Sequence, residues 1–283
     1  MSNLINLSNV FILKSLYLYA KIDISGEKME TKEQKQKFQQ IVDESHRIVF
    51  FGGAGVSTES GIPDFRSVDG LYNQEWDYAP EEILSKTFFF ANTPEFYRFY
   101  RKKMLVTGIK PNAAHLKLAE LERAGKLTAV VTQNIDGLHQ AAGSTNVLEL
   151  HGSVLRNTCT SCAKKFGLDY ILSHSDENLV PRCDECGAVI KPDVVLYEEA
   201  LDTNTVNAAI DAISKADTLI IGGTSLSVYP AAGLVNYFRG TKLVLINRDA
   251  GAFDSNADLA IHDSIGKVLG AVSVQAAGTK RDE

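Results

Sequence analysis

The segment RIVFFGGAGVST at residues 47–58 joins an apolar run to a glycine-rich turn. This pattern is typical of a buried strand that leads into a tight turn. Similar runs recur along the chain, each ending in a polar or glycine-rich turn: LTAVVT at 127–132, DTLII at 217–221 and KLVLI at 242–246. Helix-patterned segments separate these runs, so the sequence predicts an α/β fold with a parallel sheet covered on both faces.

The composition restricts the class of protein. The 283 residues include 29 Lys and Arg against 35 Asp and Glu, a formal net charge of −6, which argues against a generally basic surface for nucleic acid. Hydrophobic residues make up 45% and charged residues 23%, which excludes disordered and collagen-like chains. The length allows one large domain or two modest ones.

Residues 1–28 differ in character from the rest. The apolar run Val10–Ala20 is interrupted by Lys14 and is shorter than the ~18–20 residues that a membrane span needs. No positive charge precedes Phe11 and no Ala-x-Ala cleavage site follows, so a secretory signal is not indicated. We expect a disordered leader or an extension upstream of a native start at Met29, with a short amphipathic surface helix as the alternative. We also expect a cytoplasmic protein.

The turn at 52–58 is a candidate phosphate site, because glycines let the backbone approach a pyrophosphate and a following helix start offers free N–H groups. Thr58 replaces the third glycine of GxGxxG, and no ribose-binding acid follows at about 20 residues. The dehydrogenase fingerprint is therefore not met, and a turn without a ligand is the alternative. A glycine and a proline then interrupt the helix, which leaves a loop that presents Asp64, Phe65 and Arg66.

The four cysteines form two Cys-x-x-Cys pairs, at 159 and 162 and at 183 and 186, separated by twenty residues. This spacing indicates a four-thiolate zinc ribbon, with a pair of redox dithiols as the alternative. A cytoplasmic chain does not keep two disulfides, which also favours zinc. Four thiolates leave no open coordination position, so the metal is expected to be structural.

The six histidines differ in their surroundings. His151 lies in LELHG, at the end of a short predicted strand and just before the cysteine module, and is a candidate general base. The other five are expected to be structural. We expect surface positions for His46, His174 and His262, packing or capping for His115, and a structural role for His139.

Taken together, these motifs resemble those of a sirtuin in order and spacing. The resemblance covers about residues 35–270 and is nearest to the bacterial sirtuins, which are NAD-dependent protein-lysine deacylases. It rests on GAGVSTESGIPDFR (53–66), TQNIDGLH (132–139), LHG (150–152), the paired CxxC, KPDVVLYEE (191–199), GGTSLSVYPAA (222–232) and LVLINRD (243–249).

The resemblance implies a Rossmann-like parallel-sheet domain and a smaller inserted domain, with NAD+ and peptide meeting in the cleft between them. The larger domain would combine residues 35–69, 111–156 and 188–275. The small domain would combine a helical insert at 70–110 with a zinc ribbon at 157–187.

Site residues follow from the same resemblance. His151 matches the catalytic base, and Asn134 is a second catalytic candidate. Val194, Val195 and Leu196 match the strand that pairs with the substrate backbone, with core packing as the alternative. One zinc ion per chain would be held by Cys159, Cys162, Cys183 and Cys186. The cofactor-binding set would be Ala54, Thr58, Phe65, Arg66, Gln133, Ile135, Asp136, His151, Thr224, Ser225, Asn247 and Asp263.

The implied reaction ties amide hydrolysis to NAD+ cleavage. The acetyl oxygen attacks the nicotinamide ribose, nicotinamide leaves, and His151 helps a ribose hydroxyl attack the acyl carbon, giving O-acetyl-ADP-ribose and free lysine. The implied partners are acyl-lysine proteins bound as extended peptides, with no direct nucleic acid and no membrane. The alternatives are protein ADP-ribosylation at the same NAD+ site and a zinc-ribbon binding module.

The chain departs from the family pattern in two places. Tyr197-Glu198-Glu199 stands where Phe-Gly-Glu is frequent, so the path of the backbone after the substrate strand is open. Family members that remove succinyl groups share a Tyr-x-x-Arg pair, but here neither Tyr97 nor Tyr100 has an arginine three residues on; Lys103 follows Tyr100 instead. We therefore expect neutral acyl groups as substrates.

Overall fold

The computed structural model describes residues 29–64 and 76–274. The expected leader at residues 1–28 lies outside the described residues, as do Phe65 and Arg66. No helix in the described ranges is both long and apolar enough to cross a membrane.

Six parallel strands form the main sheet, in the spatial order β3-β2-β1-β7-β8-β9. The four strands predicted from sequence differ from the observed ones by at most one residue at either end. The strands of this sheet are β1 (Ile48–Gly52), β2 (Leu127–Thr132), β3 (Val147–Glu149), β7 (Thr218–Gly222), β8 (Lys242–Asn247) and β9 (Leu259–His262).

Both faces of this sheet are buried, as continuously apolar parallel strands require. Along β1, Ile48 and Phe50 belong to one apolar cluster, whereas Val49 and Phe51 belong to another. This alternation follows from the two-residue period of a strand, which points successive side chains to opposite faces. The apolar runs are therefore explained by helices on both sides of the sheet.

Some helices cover the main sheet, and others pack together away from it. The long helices at the main sheet are α1 (Met29–Glu44), α5 (Ala113–Arg123) and α8 (Thr203–Lys215). The others are α2 (Pro80–Ile83), α3 (Lys86–Ala91), α4 (Thr93–Phe99), α6 (Leu138–Ala141), α7 (Leu168–Ser173) and α9 (Ile265–Gly270), and a π-helical turn spans Tyr100–Met104.

A second sheet is antiparallel and has the order β5-β4-β6. Its strands are β4 (Gly152–Cys159), β5 (Lys165–Gly167) and β6 (Ile190–Val194), so it extends beyond the predicted ribbon at 157–187 on both sides. One apolar cluster joins this sheet to α2, α3 and α4. The fold class is confirmed, and the exact division into two domains stays a prediction.

The helical segment, residues 80–104, comprises α2, α3, α4 and the π-helical turn. Its side chains also hydrogen bond to the cysteine module directly. The Tyr97 hydroxyl donates a hydrogen bond to the Ile190 carbonyl oxygen. The Arg101 guanidinium donates from Nε to the Leu179 carbonyl oxygen at 3.1 Å. These bonds link residues about 80 or more positions apart in sequence and make the helices and the cysteine module one packed unit.

Candidate active site

A large cavity lies at the carboxyl ends of the parallel strands, where open α/β sheets bind ligands. Its volume is about 1300 Å³. The order in which the chain adds strands reverses between β1 and β7. Strands β2 and β3 lie on one side of β1, whereas β8 and β9 lie beyond β7. The segments that follow β1, β2, β3, β7 and β8 all line the cavity.

Two glycine turns meet at this reversal. The Gly55 N–H donates to the Gly223 carbonyl oxygen at 2.8 Å. A Cβ atom on Gly55 would lie 2.8 Å from the Gly223 Cα, and one on Gly223, whose φ is +62°, would lie 2.4 Å from the Val56 nitrogen. Only glycine lets the two backbones approach so closely. Instead of the α-helix expected behind the turn, two short 3₁₀ turns follow, at Ala54–Val56 and Thr58–Ser60.

Residues from three strands hydrogen bond to one another above the glycine turns. Gln133 donates from Nε2 to the Thr224 hydroxyl at 3.1 Å. The Thr224 N–H in turn donates to the Asn247 Oδ1 at 3.1 Å. The structure thus brings together Gln133, Thr224 and Asn247, which come from distant parts of the sequence.

A trio of polar side chains, two of them buried, lies beside this group. The Ser57 hydroxyl donates to the Asp136 Oδ2 at 2.6 Å and accepts from the Asn134 Nδ2 at 3.0 Å. Ser57 is 1% exposed. Sequence reasoning missed Ser57, and no pattern singles it out, because its importance comes from residues about 80 positions away.

The other described members of the predicted cofactor set line the same cavity, with different local bonds, whereas Phe65 and Arg66 lie outside the described residues. Thr58 donates its hydroxyl to the Gly55 carbonyl oxygen at 3.0 Å. The Ser225 hydroxyl lies 2.6 Å from that of Ser227. Asp263 pairs with Lys267 at 2.6 Å and lies near the start of α9. Ala54 and Ile135 also line the cavity.

The donor chemistry of the cavity fits a dinucleotide. The glycine turns expose backbone at a strand-to-turn junction, the type of surface that accommodates a pyrophosphate. Within the described ranges, no hydrogen bond uses the Ala54 N–H. Amide and carboxylate side chains at Gln133, Asn134 and Asp136 offer partners for sugar hydroxyls and a carboxamide.

His151 follows β3 and lines the cavity. Its Nδ1 lies 3.0 Å from the Gln133 carbonyl oxygen. A carbonyl oxygen can only accept, so Nδ1 carries the proton and Nε2 keeps its lone pair. Burial lowers the pKa of His151, and the hydrogen bond to Gln133 opposes this effect in part. The side chain is therefore a neutral imidazole at pH 7.

The end of β6 and the segment after it, residues 194–199, line the cavity next to His151. The Val195 N–H donates to the His151 carbonyl oxygen at 3.0 Å, and the Leu196 N–H donates to the Glu199 carboxylate at 2.9 Å. Among the described residues, none donates to the Val195 carbonyl oxygen. Val194 and Leu196 are buried and pack in the core, whereas Val195 is half-buried. The segment therefore combines core packing with a backbone carbonyl that is open to a partner.

Glu198 resolves how the chain turns after this segment. Its φ is +73°, the left-handed conformation that favours glycine. The carboxylate accepts hydrogen bonds from the N–H and the hydroxyl of Thr87, at 2.9 and 2.6 Å. A glutamate therefore adopts the turn that a glycine makes more easily, and its side chain contacts the helical segment.

Tyr97 and Tyr100 do not face the cavity. Both are buried in the apolar cluster between the helices and the antiparallel sheet, at 0% and 1% exposure. Lys103 does line the cavity. A tyrosine and a cation thus do not act together on an acyl group here, because helical packing directs the tyrosines into the core.

The four cysteine sulfurs lie within 4.8 Å of one another. The shortest separations are 3.4 Å between Cys159 and Cys186 and 3.5 Å between Cys162 and Cys183, which join one Cys-x-x-Cys pair to the other. A disulfide requires about 2.05 Å, so all four are free thiols, as a four-thiolate site requires. The four thiolates fit one structural zinc ion. When bound, the ion would crosslink the two Cys-x-x-Cys turns.

The other histidines occupy structural positions. His46, His174 and His262 are exposed, as expected. His115 caps α5, since its Nδ1 accepts from the Asn112 N–H at 3.3 Å. His139 is 1% exposed, and its ring centroid lies 4.7 Å from that of His115.

Comparisons with known proteins agree with this geometry. Residues 53–230 match the Sir2 family. The chain is 60% identical to an NAD-dependent protein deacetylase of Clostridium acetobutylicum over 82% of its length and 95% of that protein, and 60% identical to one of Clostridium perfringens over 83% and 97%. A solved structure of a Sir2 protein with a p53 peptide and NAD+ has a TM-score of 0.74 and 39% identity, over 83% of this chain and 95% of that one. The chain belongs to the Sir2 family.

Proposed function

We propose that this protein removes acetyl groups from protein lysine side chains and consumes NAD+, giving free lysine, nicotinamide and O-acetyl-ADP-ribose. The observation that carries the proposal is a half-buried His151, held by the Gln133 carbonyl oxygen, in the same cavity as the glycine turns after β1 and β7. Relatives of 60% identity carry the name NAD-dependent protein deacetylase. A similar solved structure contains a deacetylated p53 peptide with 3′-O-acetyl ADP-ribose.

When bound, NAD+ supplies the ribose carbon that accepts the acetyl oxygen as nicotinamide leaves. We assign the phosphates to the turn that contains Ala54 and Thr58, and to Thr224 and Ser225. Gln133 and Asn247, linked through Thr224, would hold sugar hydroxyls. Asp263 lies at the periphery of the set, and Phe65 and Arg66 are proposed from sequence.

Asn134, Ile135 and Asp136 are proposed for the nicotinamide end of the cavity. Ser57 orients Asp136 and Asn134 by bonding to both. Because Ser57 is buried, water does not compete for these bonds, and the two polar side chains stay in one arrangement.

His151 would act as the general base. The Gln133 carbonyl oxygen holds the proton on Nδ1, so Nε2 is free to take a proton from a ribose hydroxyl. Burial lowers the pKa of His151 and keeps the ring neutral at physiological pH.

The substrate is proposed to bind as an extended peptide against Val194, Val195 and Leu196. The Val195 carbonyl oxygen offers an acceptor for a peptide N–H, which is how an added strand gains affinity with little sequence readout. Neutral acyl groups are proposed because Tyr97 and Tyr100 are buried away from the cavity. The proposed partners are acyl-lysine proteins.

Direct nucleic-acid binding is not proposed. The three basic residues between Cys162 and Cys186 all pair with carboxylates: Lys164 with Asp184 and Glu185, Lys165 with Asp193, and Arg182 with Asp176. These pairs reduce the free positive charge that phosphate contacts need.

We propose a cytoplasmic location and two domains with the bounds stated above.

Mass spectrometry tests the function directly. An acetylated peptide incubated with the protein and NAD+ should lose its acetyl group while nicotinamide and O-acetyl-ADP-ribose accumulate in equal amounts. No loss should occur without NAD+. A gain in mass by ADP-ribose on a protein acceptor, with the acetyl group retained, would instead support ADP-ribosylation.

A further inference from the structure

The segment after β6 is bonded to the helical segment at four points. The Tyr197 N–H donates to the Leu84 carbonyl oxygen and the Lys86 N–H donates to the Tyr197 carbonyl oxygen, both at 3.0 Å. The other two bonds run from Thr87 to the Glu198 carboxylate. The cavity wall near Val195 is therefore built jointly by two parts of the chain that lie about 110 residues apart.

Glu198 is the side chain that makes this connection, and its backbone conformation is a costly one. Residues other than glycine with positive φ are uncommon, and they persist where the surrounding contacts determine the conformation. Here the contacts are the two bonds from Thr87, which lower the pKa of Glu198 and keep its carboxylate charged. Charge-assisted bonds of this kind are stronger than neutral ones.

A separate set of bonds shapes the segment from within. Lys191 donates from Nζ to the Val194 carbonyl oxygen and to the Glu199 carboxylate, each at 2.9 Å. The same carboxylate oxygen of Glu199 accepts from the Leu196 N–H at 2.9 Å. The local shape at 194–196 thus depends on Lys191 and Glu199, whereas its position relative to the helices depends on the Tyr197 backbone bonds and on Glu198.

We propose that Glu198 is a positioning residue for the peptide: its bonds to Thr87 fix the substrate segment against α3 and so set the affinity for the acyl-peptide. This inference rests on the proposed function. The cavity is lined on this side by Leu84, Val195, Leu196, Tyr197 and Glu198. The loss of the Thr87 bonds would let this wall shift while the NAD+ side of the cavity keeps its own hydrogen bonds.

Steady-state kinetics with an acetylated peptide and NAD+ test the proposal. Glu198→Gly removes both bonds and should raise the peptide KM about three- to tenfold, the range for a charge-assisted bond at an exposed site. Glu198→Gln removes only the charge and Thr87→Val removes only the hydroxyl donor, so each should raise the peptide KM by a smaller factor. The kcat and the KM for NAD+ should stay within about twofold of wild type, because a change in ground-state binding moves KM alone. The double variant Glu198→Gly/Thr87→Val should be no worse than Glu198→Gly alone, because Glu198→Gly already removes both bonds.

Matched variants separate this role from a structural one. Thr87→Ser keeps both donors and should behave as wild type, and Glu82→Gln removes an exposed carboxylate of α2 that makes no hydrogen bond in the described ranges. Glu198→Gly adopts positive φ without strain and removes both bonds from Thr87, whereas Glu198→Gln keeps an oxygen that can accept them.

Three outcomes would overturn the proposal: an unchanged peptide KM in Glu198→Gln and Glu198→Gly, a fall in kcat at constant KM, or additive effects in the double variant. The wild-type reaction is measured in the same series. An inactive wild type would refute the proposed function, whereas an active wild type with unaltered variants would refute only the role of Glu198.

Discussion

The Nδ1 atom of His151 lies 3.0 Å from the carbonyl oxygen of Gln133, so a residue that follows β3 is oriented by the residue that follows β2. These two strands are neighbours in the parallel sheet, and their carboxyl ends therefore meet. The bond selects the tautomer with Nε2 unprotonated. One main-chain carbonyl thus decides which nitrogen of His151 can accept a proton.

His151→Ala is expected to keep the fold and the affinity for NAD+ while deacetylation falls about 10²-fold or more, the usual scale for losing a general base. Product formation by mass spectrometry and NAD+ binding by calorimetry check this. His174→Ala, at an exposed histidine, serves as the control. Near-normal turnover by His151→Ala would contradict the assignment.

The rate should depend on pH through the same residue. Since burial lowers the pKa of His151, the base stays unprotonated below the ordinary histidine pKa of about 6.5. The kcat/KM for peptide should therefore fall on the acid side with an apparent pKa below that value. An acid limb at or above it would argue that His151 is solvated or is not the base.

Ser57→Ala is expected to lower kcat/KM for NAD+ about tenfold, because the half-buried Asp136 carboxylate and the buried Asn134 amide each lose a hydrogen-bond partner. Ser60→Ala is the matched control: it lies in the same region but does not line the cavity. Initial rates over a range of NAD+ concentrations measure the effect. Equal values for the two variants would show that the contacts of Ser57 have no functional weight.

The protein is expected to hold one zinc ion per chain. Replacement of any one of Cys159, Cys162, Cys183 and Cys186 by serine should release the metal and lower the thermal midpoint, because the four sulfurs form one compact site. Elemental analysis and thermal unfolding check this, with Ser161→Ala as a control in the same turn. Pure, active protein without zinc would contradict it.

The His115 and His139 pair should make the fold sensitive to acid. Burial lowers the pKa of His115 to about 4 and that of His139 to about 3. Below about pH 6.5 the unfolded chain binds protons that the folded chain does not, so stability falls as pH decreases, by up to about 1.4 kcal/mol per pH unit for each histidine. The loss ends below the folded-state pKa values.

Urea unfolding at pH 7 and pH 5 measures this loss. In His139→Asn the loss should be smaller by roughly the share of one histidine. His174→Asn should lose as much stability as wild type, because His174 is exposed. An equal loss in wild type and His139→Asn would show that His139 is already protonated or solvated in the folded state.

Much of the architecture was predictable because the signals are local. The four apolar runs predict strands to within one residue, since continuous apolar sequence requires burial on both faces of a sheet. The paired Cys-x-x-Cys spacing predicts the cysteine cluster because each turn supplies two ligands from nearby positions. The short strand before His151 placed that residue at the ligand-binding edge.

The sequence by itself therefore determined the parallel sheet, the edge at which the polar residues gather, and the four thiolates. The tertiary structure decided which of these residues touch: Ser57 with Asp136, Gly55 with Gly223, and Glu198 with Thr87. It also directed Tyr97 and Tyr100 into the core, where spacing alone had left their direction open. The physical reason is that such contacts join residues far apart along the chain, and their geometry exists only once helices and sheets have packed.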